Sequence, residues 1–376
     1  MRLKPATLGR PFWRALRRDY LLQVLLAVCA VLTLAQPAAI ATYPALVDWP
    51  TVAALAGLLI LTKAVEVSGF FHRLGFHLIG FEHSERTVAF FLVVSAAVLS
   101  TVLTNDVALF IVVPLTLSLR ARATLPIARL VIFEALAVNA GSTLTPVGNP
   151  QNLFLWQRSG VSFSAFVAQM LPLTLILGVV LAVMTALAFP GKRVEAGENE
   201  EPPPLDLRLL ALSVVLYPLF IAAADLHHAV SGLVAVLAIY LVIRPSVLRR
   251  VDWLLIAAFV LMFVDLRLVA QTRFVHETVA RADLAEASHL YVAGVALSQV
   301  ISNVPAAILL AEHSADARVI AYAVDVGGFG LAVGSLANLI ALRMLGTRRA
   351  WLAFHGYSVP FLVAAGALTW LWLFVA

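Results

Sequence analysis

The chain has 376 residues, of which 62% are hydrophobic and 12% charged, with a formal net charge of +5. That charged share is about half of the roughly 25% usual in soluble domains, and the mean hydropathy is +0.95, which excludes an ordinary soluble enzyme and indicates a polytopic membrane protein. The basic residues are dispersed among short loops, which excludes a nucleic-acid-binding patch, and the single cysteine, Cys29, excludes a disulfide framework.

A basic start (Arg2, Lys4, Arg10, Arg14, Arg17, Arg18) precedes the first expected span, Tyr20 to Ala35, and the positive-inside bias places it in the cytoplasm. The same start also fits a cleavable signal with Ala39 to Ala41 as its small-residue site, but a retained anchor satisfies the same topology. Pro50 to Val67 returns to the cytoplasm. Phe70 to Phe81 mixes aromatics with His72, Arg73 and His77, the pattern of an amphipathic segment at the inner interface.

Val88 to Leu119 is an apolar run of 32 residues. At about 1.5 Å per residue it is too long for one span and too short for two with a turn. A re-entrant hairpin with Thr104, Asn105 and Asp106 at its tip resolves the mismatch. Ile127 to Trp156 reads as a broken helix, and Phe163 to Phe189 crosses back inside. The polar, Pro-rich stretch 191–207 is expected to be a cytoplasmic linker between a first repeat, 1–190, and a second, 208–376. Arg208 to Ala224, Ala229 to Ile243 and Val251 to Leu268 are further spans, and the charged stretch Gln271 to Ser288 is expected at the outer face. His289 to Glu312 repeats the hairpin, with Ser302, Asn303 and Val304 at its tip. Val319 to Leu345 is a second broken helix and Ala350 to Val375 a last span. The expected fold is therefore an all-α polytopic membrane protein with about nine crossings, two re-entrant hairpins and two broken helices.

The breaks are marked by a repeat. Asn139 to Leu153 recurs without a gap as Asp325 to Leu339, with Gly141, Val147, Gly148, Asn152 and Leu153 matched by Gly327, Val333, Gly334, Asn338 and Leu339. Two landmarks recur in the same order: Asp48-Trp49 as Asp252-Trp253, and Asn105 as Asn303. Five crossings separate the two Asp-Trp starts, an odd number, so the halves are expected to be related by inversion. Glycines and prolines within a membrane helix free backbone groups that hydrocarbon cannot satisfy, so each break must be buried in protein or line a polar cavity. Paired breaks in two halves point to a transport site near the midplane.

At these residues the chain resembles the ion transporter superfamily, in its arsenite permease and sodium–proton antiporter branch and the neighbouring citrate-transporter-like, divalent anion:sodium symporters. The triplets Thr104-Asn105-Asp106 and Ser302-Asn303-Val304 match its hairpin tips. Gly141, Ser142, Thr145, Pro146, Gly148, Pro150 and Asn152 match its Gly-rich unwound segment, while the second segment keeps Gly327, Gly328, Gly334, Ser335 and Asn338 but has Leu331-Ala332 in place of Thr145-Pro146. The resemblance implies an elevator-type movement of hairpins and broken helices against a scaffold, a homodimer, and a prokaryotic inner-membrane location.

The candidate site comprises Thr104, Asn105, Asp106, Asn139, Gly141, Ser142, Thr143, Thr145, Gly148, Asn149, Asn152, Ser302, Asn303, Asp325, Gly327, Gly328, Gly334, Ser335 and Asn338. Helix N-termini at the hairpin tips and breaks suit an anion, and the side-chain and backbone oxygens suit sodium, the one metal ion expected; no cofactor is. None of the four motifs contains Lys or Arg, so an anion needs a co-transported cation to offset its charge. Asp106 is a candidate proton carrier, with a helix N-cap as the simpler role. Glu134 and Asp325 are each either cation ligands or structural hydrogen-bonding groups, whereas Asp265, Arg267 and Glu66, near helix ends, are expected to snorkel. Two readings stay open: a secondary transporter moving a small anion with sodium or protons, and a sodium–proton antiporter or arsenite-type efflux permease. The chain has no HExxH, GxSxG or GxxxxGK[ST] motif, which argues against a hydrolase or a primary pump.

Overall fold

Apolar segments of this length satisfy their backbone groups internally only as helices, and helices make up nearly all the regular structure. The computed structural model describes residues 20–70, 73, 83–118, 125–191, 193–194 and 204–375. The helices are α1 (Tyr20–Ala35), α2 (Trp49–Val67), α3 (Glu85–Val102), α4 (Asn105–Ser118), α5 (Ile127–Gly141), α6 (Pro150–Ser159), α7 (Phe163–Ala188), α8 (Leu207–Asp225), α9 (Ala229–Ile243), α10 (Trp253–Ala270), α11 (Arg273–Ala282), α12 (Ala287–Ile301), α13 (Asn303–Ala311), α14 (Ala317–Gly327), α15 (Leu336–Leu345) and α16 (Arg348–Phe374). Among the described residues the only strand pairing is a two-residue bridge between His83–Ser84 and Arg193–Val194. It ties the start of the first hairpin to the linker.

Among the described residues six helices, α2, α3, α7, α8, α10 and α16, are long and apolar enough to cross a membrane. Among them α3 is a hairpin arm. Arg86 donates to Phe189 O at the end of α7, the chain turns at Leu103–Thr104 where Asn105 N–H reaches Gly148 O at 2.8 Å, and α4 leads back to Arg129, which donates to Ala188 O. The second hairpin ends at the opposite end of α7, where Glu312 pairs with Arg158 shortly before Phe163. Twenty-six residues of α7 separate the two open ends, about 39 Å at 1.5 Å per residue. The interfacial segment expected from Phe70 to Phe81 and most of the linker lie outside the described residues.

The broken helices occupy the centre. In α5 every residue from Leu130 to Gly141 is buried, as is every residue of α14 from Val319 onward. Around them α2 packs against α8, α9 and α10, and aspartates cap α2, α8 and α10: Asp48 accepts from Thr51 N–H, Asp206 from Leu209 N–H, and Asp252 from Leu254 and Leu255 N–H. The repeated Asp-Trp landmark has one geometry in both places, since Trp49 Nε1 donates to Pro44 O at 2.9 Å and Trp253 Nε1 to Leu248 O at 2.8 Å. At Asp206, just outside its span, the Leu209 N–H bond and the Arg244 guanidinium hold the carboxyl below its usual range.

Two expectations are corrected here, those for Asp265 and Asp106. Asp265 does not snorkel: it is 2% exposed, facing the Cys29 thiol of α1. Near helix ends, Arg267 meets Glu312 and Leu46 O, and Glu66 pairs with Lys63, both partly exposed. Asp106 is not the N-cap of α4, because it lies inside the first turn and its own N–H is received by Asn105 Oδ1 at 2.9 Å.

Candidate functional site

Unwinding frees peptide groups, and the first break recaptures them largely with its own side chains. Asn149 caps α6 by accepting from Asn152 N–H at 2.8 Å, and its Nδ2 donates back to Ser142 O at 3.2 Å. Asn152 Nδ2 donates to Thr143 O, and Thr145 Oγ1 to Thr101 O in the hairpin arm at 2.6 Å. Close approach requires the glycines. A Cβ on Gly141 would strike Ala97 O and Ser100 Oγ, and one on Gly327 would lie 2.5 Å from Ser298 Cβ and 3.2 Å from Val295 Cα, the matching positions of the second hairpin.

The two breaks are cross-linked reciprocally. Asn139 Oδ1 accepts from Ser335 Oγ at 3.1 Å, and Asn139 Nδ2 donates to Asn338 Oδ1 at 2.8 Å. Asp325 holds the repeat position of Asn139, and it accepts from Asn149 at 3.1 Å and Asn152 at 2.9 Å, the repeat positions of Ser335 and Asn338. The same pair of positions in each half thus grips the same position in the other. The clearest asymmetry is chemical. Asp325 carries an additional acceptor oxygen in place of the amide, and Gln151 Nε2 supplies an additional donor at 3.0 Å, where the repeat position has Ala337. All these side chains are at most 5% exposed.

Both hairpin tips reach this network. Asn105 Nδ2 donates to Asn139 Oδ1 at 3.5 Å, and Asn105 and Asn303 each turn Oδ1 onto the next N–H, at 2.9 Å in both. Ser302 Oγ donates to Gly334 O at 3.4 Å and holds φ at +74°, a conformation costing an L-residue about 1–3 kcal/mol that persists only when the surroundings impose it. Gly328 lies beside Asn303 Nδ2 and Ser335, and Thr143 Oγ1 meets Thr174 of α7 at 2.8 Å. Four helix N-termini, those of α4, α6, α13 and α15, therefore gather around the crossed breaks.

Not every expected residue enters the network. Asp106 Oδ1 is buried without a hydrogen-bond partner, and Thr104 Oγ1 likewise. Glu134, 0% exposed, accepts from Thr116 Oγ1 of α4 and fastens hairpin to broken helix. Sequence reasoning missed Gln151, Gln299 and Ser358, whose amides and hydroxyl satisfy the breaks; the available signal was a polar residue inside an apolar helix.

A family model described as a citrate transporter matches residues 13–318. The chain belongs to the citrate transporter family. It is 44% identical to inner membrane protein YbiR of Escherichia coli over 365 residues, 97% of this chain and 98% of YbiR. It is 29% identical to the uncharacterized transporter MJ0456 of Methanocaldococcus jannaschii over 302 residues, 80% of this chain and 82% of that protein. Over 151 residues it is 28% identical to the silicon efflux transporter LSI3 of Oryza sativa, 40% of this chain and 31% of LSI3. This member of the citrate transporter family is accordingly a multi-pass membrane transporter, not an enzyme.

Proposed function

We propose that this citrate transporter family member is a secondary active transporter that moves a small anion coupled to sodium or protons, at a site formed by the two hairpin tips and the crossed breaks. The reciprocal gripping of Asn139 by Ser335 and Asn338, and of Asp325 by Asn149 and Asn152, carries this reading. A two-fold exchange of partners is what an inverted repeat of 1–190 and 208–376 produces, and inverted repeats with discontinuous helices are built for alternating access around a midplane site. Four converging N-termini favour an anion. With no Lys or Arg in the four motifs, a co-bound cation offsets its charge, and the buried, unpartnered Asp106 Oδ1 suits a proton or sodium ion. The protein acts in the inner membrane, where YbiR's name places that relative, as a homodimer with a cytoplasmic N-terminus.

A second reading, a sodium–proton antiporter or an efflux permease, draws on Asp106 and on the efflux in LSI3's name. Currents from reconstituted protein on a solid-supported membrane decide between them. Jumps of citrate, succinate, sulfate and arsenite are expected to evoke current only with sodium or a proton gradient; proton movement driven by sodium alone, with no anion response, would establish the antiporter instead.

An elevator-type movement of hairpins and breaks against α2, α8, α9 and α10 would have to break tethers between them, of which one is an ion pair. Glu312 Oε1, at the end of the second hairpin, meets Arg267 Nε of α10 at 3.2 Å. Partly exposed pairs contribute about 0.2–1 kcal/mol. Glu312→Gln and Arg267→Gln are each expected to change turnover by up to about fivefold, and the double variant by no more than either alone. Fully additive effects would show that the pair does not act as a tether.

A further inference from the structure

The second break lacks most of the side chains by which the first holds itself. Where the first has Thr145, the second has Leu331, and where the first has Asn149 and Gln151, the second has Ser335 and Ala337. Within it Asn338 Nδ2 donates to Gly328 O at 2.8 Å, and the neighbouring peptide groups are met from outside. Gln299 of α12 lies four residues before Asn303, as Thr101 lies four before Asn105. Its Nε2 donates to Gly327 O at 2.6 Å and Phe329 O at 3.0 Å, and its Oε1 accepts from Leu331 N–H at 2.8 Å. One side-chain amide thus pairs three alternate peptide groups as a neighbouring strand would. Ser358 of α16 accepts from Gly330 N–H at 2.8 Å, and His355 Nε2 from Ala332 N–H at 3.3 Å.

The contact between position 299 and position 331 is the repeat equivalent of that between Thr101 and Thr145, with the roles exchanged. In the first half the break's side chain bonds the hairpin's backbone. In the second the hairpin's side chain bonds the break's backbone.

We propose that Gln299 is a positioning residue: it sets the path of Gly327 to Leu331, and through that path the placement of Ser335 and Asn338 against Asn139. This rests on the transport reading above. Replacement by Ala leaves two carbonyls and one N–H of the break without partners. Glu is the informative variant. As an ionised carboxylate it only accepts, so it keeps Leu331 N–H but faces the Gly327 and Phe329 carbonyls repulsively; protonated, it regains one donor.

The full chain in lipid nanodiscs is followed by hydrogen exchange, which does not depend on any substrate, and by transport in proteoliposomes. Gln299→Ala is expected to speed exchange across residues 327–335 by at least about tenfold, while residues 141–149 exchange as in the parent protein. Gln299→Glu is expected to show the same loss near pH 8, with protection of 327–335 and transport, each relative to the parent at the same pH, recovering at least about threefold near pH 5.5. Unchanged exchange in Gln299→Ala, or a pH-independent ratio in Gln299→Glu, overturns the proposal. Altered exchange beside a parent protein that transports no anion refutes the anion reading and leaves Gln299's positioning of the break established.

Discussion

Asp325→Ala is expected to abolish transport and to destabilise the protein by about 3 kcal/mol, since it takes the buried acceptor from one N–H each of Asn149, Gln151 and Asn152, at about 1–3 kcal/mol each. The orientation of these amides is set elsewhere. Asn149 Oδ1 is held by Asn152 N–H and Asn152 Nδ2 also faces Thr143 O, so neither amide turns to a new partner without losing an existing bond. Asp325→Asn separates charge from shape. Its amide nitrogen must face one of three donors, so it is expected to fold with reduced stability and to transport weakly. Combining it with Gln151→Ala, which removes one of the three donors as Ala337 does in the other half, is expected to recover part of the stability but not the coupled current. Thermal unfolding in detergent and solid-supported-membrane currents read the two effects; wild-type stability and current in Asp325→Ala would show that the carboxylate organises nothing.

Gly148→Ala is expected to reduce transport by about a hundredfold or more. Its Cβ would meet Ser142 O, Ser142 Cα at 2.6 Å and Ser100 O at 2.7 Å, all backbone, so no side chain can turn aside to accommodate it. Forced overpacking costs about 1–3 kcal/mol or more, and here the displaced carbonyl is the one that Asn105 N–H binds at the hairpin tip. Gly334→Ala meets Gly327 O at 2.7 Å and Phe329 O at 3.1 Å and is expected to be milder. Gly178→Ala, with nothing within 4 Å on α7, serves as the control and is expected to transport normally. Equal currents from Gly148→Ala and Gly178→Ala would mean that the break relaxes around a methyl group.

Much of this arrangement was legible before any coordinates. The spacing of Gly141 and Gly148, repeated at Gly327 and Gly334, marks both breaks, because only glycine allows the hairpin arms to approach so closely, and Asn139, Asn152, Asp325 and Asn338 stand out as polar groups in apolar surroundings. What could not be read was who partners whom. Gln299 belongs to a hairpin arm whose apolar pattern looks continuous, and its three bonds arise only when a segment some 30 residues away folds against it. Asp265 has the sequence position of a snorkelling residue, and only the packing of α1 on α10 shows it buried. Asp106 suggested a cap by residue type, yet Asn105 beside it takes the local N–H.

The reciprocal grip also sets an order of assembly. Asn139 and Asn152 lie 199 and 173 residues from their partners across the network, Asn338 and Asp325, so the first half enters the bilayer with these cross-bonds unmade. Contacts so distant in the chain close late. The centre of the molecule is consequently its last part to mature, and a ribosome-bound chain that stops short of Asp325 has every membrane helix of the first half but only one side of the crossed network.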